Sequence, residues 1–177
     1  MSSGIPVLET ERLRMRGHRV DDLDACLAMW SDPAVTRYIG GKPSSRQQTW
    51  SRLVNYAGQW ALLGFGYWVL EEKATGRFAG ELGFADFQRD IAASMRDAPE
   101  LGFALAAHAH GKGYATEAVT AAVAWGDANL RSARTVCLID EDNAASIRVV
   151  EKAGYAIFAR TTFNDRPTLF FERHRSR

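Results

Sequence analysis

A short glycine turn between a strand and a helix constrains this chain of 177 residues more than any other feature. Residues 100–105 (ELGFAL) form an apolar strand pattern, and residues 106–118 (AAHAHGKGYATEA) place Gly111 and Gly113 at the start of an alanine-rich helix. Glycines there let a ligand approach the backbone, and the first N–H groups of the helix favour an anion. The segment therefore predicts a site for a phosphate-bearing cofactor, the alternative being an ordinary loop-to-helix junction.

Three phosphate-binding patterns compete for this turn. A P-loop needs Lys-Ser/Thr after its second glycine, and Tyr114-Ala115 follows Gly113 instead. A dinucleotide fingerprint needs a small residue where Thr116 stands; Asp140 supplies its acidic residue, but only 37 residues follow Asp140, too few for the rest of such a domain. The third pattern, the pyrophosphate turn of an acyl carrier, meets no such objection.

Composition narrows the class of protein further. The chain is 46% apolar and 24% charged, which suits one domain of average size, and its net charge of +1 argues against a nucleic-acid groove. No apolar run reaches the roughly 18 residues of a membrane span, and no secretory leader pattern opens the chain. Cys26 and Cys137 lie too far apart for a disulfide framework. We expect a cytoplasmic protein that binds neither nucleic acid nor membrane.

Periodicity and turn residues predict elements in the order βααβββαβαββ, which is a mixed sheet covered by helices. The predicted strands are Arg12–Arg16, Tyr67–Glu72, Arg77–Phe87, Glu100–Leu105, Thr135–Asp140, Tyr155–Arg160 and Thr168–Glu172. The predicted helices run from Asp21 or Asp22 to Trp30, from Ser45 toward Leu63, from Gly113 to about Ala128 and from Ala144 to Ala153. Gln88–Pro99 is predicted to be a loop.

Two finer predictions concern which side chains face the core. Ser45 and Gln48 have capping-box spacing, and the helix they open has its apolar residues at Trp50, Leu53, Val54, Ala57 and Trp60. The alternating arginines of the first strand, Arg12, Arg14 and Arg16, are assigned to its solvent face.

Two motifs together resemble a known family. Residues 108–118 (HAHGKGYATEA) look like the acetyl-CoA pyrophosphate loop of the GNAT N-acetyltransferases, and residues 143–155 (NAASIRVVEKAGY) look like the second motif of that family. Residues 8–16 (LETERLRMR) and 30–35 (WSDPAV) resemble its RimJ/RimL-type branch. The resemblance implies one GNAT domain over residues 8–173, with short tails at 1–7 and 174–177.

The resemblance also implies an α/β fold and the residues that hold the co-substrate. A mostly antiparallel sheet, with helices on both faces, should have splayed fourth and fifth strands, here Glu100–Leu105 and Thr135–Asp140, which admit the pantetheine arm of acetyl-CoA. The main chain of Phe103, Ala104 and Leu105 should meet the pantetheine and acetyl groups. The amides expected at the pyrophosphate belong to His110, Gly111, Lys112, Gly113, Tyr114 and Ala115, with Thr116 nearby. Asn143 should bind the pantetheine arm, and Lys152 should approach the nucleotide end.

Two departures from the family pattern affect the chemistry. His108 stands where Gln or Arg usually leads the first motif, which weakens a charge contact there. Val150 stands where many relatives carry the tyrosine that protonates the leaving thiolate, so Ser146 becomes the candidate acid.

The amine acceptor must lose a proton before it attacks, because an alkyl amine has a pKa of about 10.4. Glu81 and Glu100 are the candidate bases, directly or through water, with Asp86 a weaker third. Cys137 has no recognisable base beside it, which argues against a covalent enzyme intermediate. His108 and His110 lack a third ligand nearby, so we predict no metal site.

These observations predict an acetyl-CoA-dependent N-acetyltransferase that transfers the acetyl group directly to a primary amine. The acceptor stays open among a protein N-terminus, a free amino acid and other small amines. A GNAT-fold sensor or scaffold that binds CoA without turnover is the alternative function. The sequence leaves open a homodimer and a gating role for the Gln88–Pro99 loop.

Overall fold

The computed structural model describes residues 4–92 and 97–175. Its strands form one sheet in the order β1-β2-β3-β4-β5-β6-β8-β7. They are β1 (Leu8–Glu9), β2 (Leu13–Arg16), β3 (Tyr67–Glu72), β4 (Phe78–Ala85), β5 (Glu100–Leu105), β6 (Arg134–Asp140), β7 (Ala156–Phe163) and β8 (Arg166–His174). The helices are α1 (Leu23–Trp30), α2 (Pro33–Thr36), α3 (Arg46–Leu63), α4 (Tyr114–Asn129) and α5 (Ala144–Lys152). None of the helices in these ranges is both long and apolar enough to cross a bilayer.

The sheet is antiparallel except at one place, where β5 and β6 run in the same direction. Strand pairs joined by short turns, such as β3–β4 and β7–β8, can be antiparallel, whereas a parallel pair needs a crossover. Helix α4 supplies that crossover between β5 and β6. The mixed, mostly antiparallel sheet predicted from the sequence is confirmed.

Helices pack on both faces of the sheet, as the alternation along β4 shows. Leu82 and Phe84 point into the main apolar cluster, which also contains Ala118 and Val119 of α4. Glu81 points the other way and contacts the side chains of α1. Successive strand residues face opposite sides of the sheet, so α4 packs on one face and α1 on the other. The predicted arrangement of helices on both faces is correct.

The capping box of α3 is confirmed, but the prediction of its buried face is wrong for Trp50 and Val54. Ser45 Oγ accepts a hydrogen bond from the Gln48 N–H at 3.2 Å, and Gln48 Oε1 accepts one from the Ser45 N–H at 2.8 Å. Trp50 and Val54 are 40% and 47% exposed. Leu53 is buried as predicted, and the other buried positions are Thr49, Tyr56 and Gln59. Polar residues occupy part of the inner face because they have partners there, as Gln59 does at the backbone of Asp86.

Other boundaries differ in ways that matter for the site. The two-residue strand β1 precedes the strand predicted to be first, so the predicted fourth and fifth strands are β5 and β6. Strands β7 and β8 extend toward each other to a two-residue turn, Asn164-Asp165, in which both residues have positive φ. Arg16 is buried between Asp22 and Glu71 rather than solvated. The predicted Gln88–Pro99 loop includes residues 93–96, which lie outside the described residues.

Candidate active site

The parallel strands β5 and β6 separate almost as soon as they meet. Glu100 and Val136 are their one registered pair in the described structure, and the Val136 N–H donates to the Pro99 carbonyl at 3.0 Å. Beyond this point the strands diverge toward their carboxyl ends. Backbone groups along this gap are therefore available to a ligand lying between the strands. The predicted splay is present, and it involves the two predicted strands.

A cavity of about 770 Å³ fills this gap, and its size suits a small ligand. Strand β5 lines it with Gly102, Phe103 and Ala104, and β6 lines it with residues 137–140. Asn143 and Ser146, at the start of α5, lie on the same cavity wall. The structure thus brings together two of the predicted main-chain contacts, the amide of Asn143 and the candidate acid Ser146.

The glycine turn lies at the carboxyl end of β5, the edge of the sheet toward which the gap opens. Gly111 and Gly113 have φ of 71° and 79°, the left-handed region that glycine adopts without strain. Gly113 precedes the first residue of α4, and the first N–H to bond within this helix is that of Glu117, to the Gly113 carbonyl. The N–H groups of Tyr114, Ala115 and Thr116 precede that bond and have no acceptor within the helix. This helix start can bind an anion.

Side chains around the turn hold it in place. Arg12 donates to the Lys112 carbonyl at 2.8 Å and to Glu117 at 2.7 Å. The Tyr114 hydroxyl donates to Glu72, and this hydrogen bond, with that from Thr75 and the charge of Lys112, lowers the pKa of Glu72 to about 2. His110 Nε2 lies 2.8 Å from the Leu105 carbonyl oxygen, so its side chain is directed back to the strand. The charged side chains thus fix the loop, and its backbone is left to meet a ligand.

The second motif forms the start of α5. Asn143 caps this helix, because its Oδ1 accepts a hydrogen bond from the Ser146 N–H at 3.2 Å. Ser146 is half-buried, and Val150, one turn further on, is fully buried. Lys152 is exposed in the last turn of α5 and does not line the cavity. The start of α5, rather than its end, contributes to the cavity.

Comparison with known proteins identifies the family of this chain. A family model described as the acetyltransferase (GNAT) domain matches residues 12–156. The chain belongs to the GNAT acetyltransferase family. YkkB of Bacillus subtilis, an uncharacterized protein, is 35% identical over 153 residues, which are 83% of each chain. A structure assigned to the GNAT-family acetyltransferases, from Bordetella pertussis, is 30% identical, with a TM-score of 0.82 over 94% of this chain and 98% of that one.

A more distant solved structure shares the fold of this GNAT acetyltransferase. The spermidine N-acetyltransferase of Vibrio cholerae is 15% identical, with a TM-score of 0.74 over 93% of this chain and 96% of that one. The fold expected from the family resemblance is therefore confirmed.

Glu100, one of the two candidate bases, lines the cavity of the acetyltransferase. Arg89 holds its carboxylate in a two-pronged ion pair, with both N–O distances at 2.8 Å. The Arg89 guanidinium also lies 4.6 Å from the ring centre of Phe87. Asp86 is close by along the wall and accepts hydrogen bonds from Gln88. Glu100 is therefore at the cavity surface, but already has a cationic partner.

Glu81, the other candidate base, is 1% exposed and does not line the cavity. It accepts hydrogen bonds from Trp30 Nε1 at 2.7 Å and Cys26 Sγ at 3.2 Å, and His18 Nε2 lies 2.7 Å away. Burial alone would raise the pKa of Glu81, but the hydrogen bonds from His18, Trp30 and Cys26 outweigh it and lower that pKa. The structure thus places Glu81 behind the cavity wall, with Trp30 between it and the cavity.

Sequence reasoning missed several residues of the cavity wall. They are Trp30 of α1, Arg52, Asn55 and Tyr56 of α3, Tyr67 of β3, and Phe163, Asn164 and Arg166 around the turn between β7 and β8. A signal for two of them was present, because Arg52 and Asn55 are polar positions three residues apart on one side of an amphipathic helix. The Asn164-Asp165 pair was a second signal, because these residue types favour a tight hairpin turn, and the residues around this turn line the cavity.

Proposed function

We propose that this GNAT acetyltransferase uses acetyl-CoA as co-substrate and transfers the acetyl group directly to a primary amine. One observation carries the proposal. The gap between β5 and β6 opens, at the same edge of the sheet, toward the glycine turn and the start of α5. An elongated ligand with a phosphate group at one end fits this arrangement. The Vibrio cholerae structure of the same fold contains CoA and spermine, which supports CoA and an amine as reactants.

In this proposal the main chain does most of the binding. The backbone of residues 103–105 meets the pantetheine arm along the gap, and the N–H groups of residues 110–116 bind the pyrophosphate. Asn143 presents its side-chain amide from the cavity wall, since its Oδ1 is already engaged in capping α5. Lys152 then acts only at long range, because it lies outside the cavity.

The acceptor amine must lose a proton, and Glu100 is the candidate base with direct access to the cavity. Its ion pair with Arg89, at 2.8 Å, holds the carboxylate at the cavity surface. Glu81 would need water to connect it to the amine. Replacing each with glutamine separates the two, because losing the base should lower kcat/KM at least tenfold. If neither change does so, the base lies elsewhere.

Ser146 is the proposed donor to the departing sulfur, because it lines the cavity and Val150 cannot give a proton.

The protonation of Cys137, the thiol in the cavity wall, supports direct transfer without a covalent enzyme intermediate. Burial raises the pKa of the Cys137 thiol far above its ordinary value, with a further contribution from the charge of Glu100. A protonated, buried thiol is a poor nucleophile. Both cysteines are free and buried, so the fold does not depend on an oxidising compartment, and we assign the enzyme to the cytoplasm.

The test is release of the CoA thiol from acetyl-CoA in the presence of a panel of primary amines. The panel should include free amino acids, polyamines and short peptides with a free N-terminus. Release that depends on the amine supports an N-acetyltransferase. Tight CoA binding with no release for any amine would instead support a sensor or scaffold and contradict the proposal.

A further inference from the structure

Arginines with different partners line the cavity of this acetyltransferase. Arg89 is paired with Glu100, and Arg166 is paired with Asp140. Arg52 also lines the cavity, yet in the described ranges it has no carboxylate within ion-pair distance. Its nearest polar partner is the Ser44 hydroxyl, 3.3 Å from Nη1. A half-buried guanidinium without a counter-ion is a ready site for an anionic group of a ligand.

The position of Arg52 is fixed by aromatic packing. Its guanidinium lies 3.9 Å from the centre of the Trp30 ring, and the Trp30 indole N–H donates to the buried Glu81 at 2.7 Å. Stacking on an indole leaves the edge of the guanidinium free to donate hydrogen bonds. The hydrogen bond to Glu81 thus fixes the Trp30 ring on which Arg52 stacks.

This cation also lies close to where the acyl group is expected. Trp30 belongs to a buried cluster that contains Ala104, the residue of β5 opposite Glu81. Ala104 is among the backbone positions proposed to meet the acetyl end of acetyl-CoA. The free cation is therefore near the reacting end of the cavity, beside the place where the acceptor must sit.

We infer that the acceptor carries a carboxylate that Arg52 binds, so that the substrate class is the free amino acids. The inference rests on the proposed function and specifies its acceptor. A planar guanidinium matches a carboxylate with two parallel hydrogen bonds, whereas it repels the additional cations of a polyamine or an aminoglycoside. A cavity of about 770 Å³ that must also admit the pantetheine arm favours a small molecule over a folded protein.

The experiment measures kcat/KM for amino acids and for the corresponding primary amides, which keep the amine and lose the carboxylate charge. We expect the wild-type enzyme to favour the acid at least tenfold in its best pair, which corresponds to about 1.4 kcal/mol. Arg52→Gln should reduce this ratio to near one, mainly through a higher KM for the acid. Arg52→Lys keeps the charge without the flat two-pronged donor and should restore part of the ratio.

Arg46→Gln is the matched control, because Arg46 is on the same helix, is paired with Asp24 at the surface and does not line the cavity. It removes the same charge and should leave the acid-to-amide ratio unchanged. Equal turnover of acids and amides by the wild type, or an unchanged ratio in Arg52→Gln, would overturn the inference while leaving amine acetylation intact. Preference for a peptide N-terminus over every free amino acid would overturn it as well. If no amine releases CoA, the proposed function itself fails.

Discussion

Replacing Gly113 with alanine separates anion binding from backbone strain. Gly113 has φ of 79°, and an added Cβ would meet only Arg12 Nη2, at 3.4 Å. The left-handed conformation costs an alanine about 1–2 kcal/mol of folding free energy, and a β-branched valine is a worse outlier there. An alanine that relaxes this strain would tilt the backbone amides at the start of α4. We therefore expect Gly113→Ala also to weaken CoA binding at least tenfold, or about 1.4 kcal/mol.

Gly76 offers a matched control for this strain. It has φ of 70° in the turn between β3 and β4, and an added Cβ would meet nothing within 4 Å. Gly76→Ala should therefore lose a similar amount of unfolding free energy in urea, about 1–2 kcal/mol, and bind CoA as the wild type does. Calorimetric titration with CoA distinguishes the two variants. If Gly113→Ala loses the same stability but binds CoA with wild-type affinity, the turn does not hold the pyrophosphate.

Three further changes test other parts of the account. Ser146→Ala should lower kcat about ten- to a hundredfold, with CoA affinity unchanged, because donation to the sulfur matters most as the thiolate leaves; steady-state kinetics showing full kcat would exclude this role. Gly102→Ala should destabilise the fold by about 1–3 kcal/mol in urea unfolding, because the new Cβ would lie 1.9 Å from the hydroxyl of the buried Tyr67; an unchanged midpoint would contradict this packing. Burial alone would raise the pKa of Asp22, but hydrogen bonds from Arg16 and the Arg19 N–H outweigh burial and lower it. The carboxylate therefore stabilises the fold at pH values above its ordinary pKa of about 3.9, and this stabilisation is lost as the pH falls through the lower pKa of the folded state. Asp22→Asn should therefore cost about 3 kcal/mol near neutral pH and progressively less in acid, and a pH-independent loss would refute the charge argument.

Local signals in the sequence predicted the elements around the glycine turn correctly. The strand, glycine turn and helix of residues 100–129 form as expected, because each depends on neighbours along the chain. The same holds for the capping box of Ser45 and Gln48, whose two hydrogen bonds span three residues. Asn143 caps α5 for the same reason.

The burial of residues whose partners come from other segments of the chain could not be predicted from local sequence signals. Glu81 is buried and hydrogen-bonded by Cys26 and Trp30, with His18 at 2.7 Å, and these residues lie 51 to 63 positions away in the chain. Arg16 is buried because Asp22 and Glu71 both meet it, although an alternating strand pattern assigns it to solvent. A polar residue in an element is placed by its partners as much as by periodicity.

The cavity wall formed by α1, α3 and the β7–β8 turn illustrates the same limit. Arg52 reaches the cavity because α3 packs beside α1, and its guanidinium then stacks on Trp30. The turn at Asn164-Asp165 reaches the same cavity from the far end of the sheet. This wall is thus assembled from α1, α3 and the β7–β8 turn, none of which carries either of the two family motifs.

Direct transfer of the acetyl group to an amine is tested most directly by the balance between the two products of one reaction. Acetyl-CoA labelled in its acetyl group is incubated with the enzyme and a small amino acid, and both the free CoA thiol and the labelled N-acetyl product are quantified over time. Direct transfer predicts equal amounts of the two products at every time point, and both should depend on the amine. Thiol release without labelled product, or release at the same rate without the amine, would contradict direct transfer to an amine acceptor.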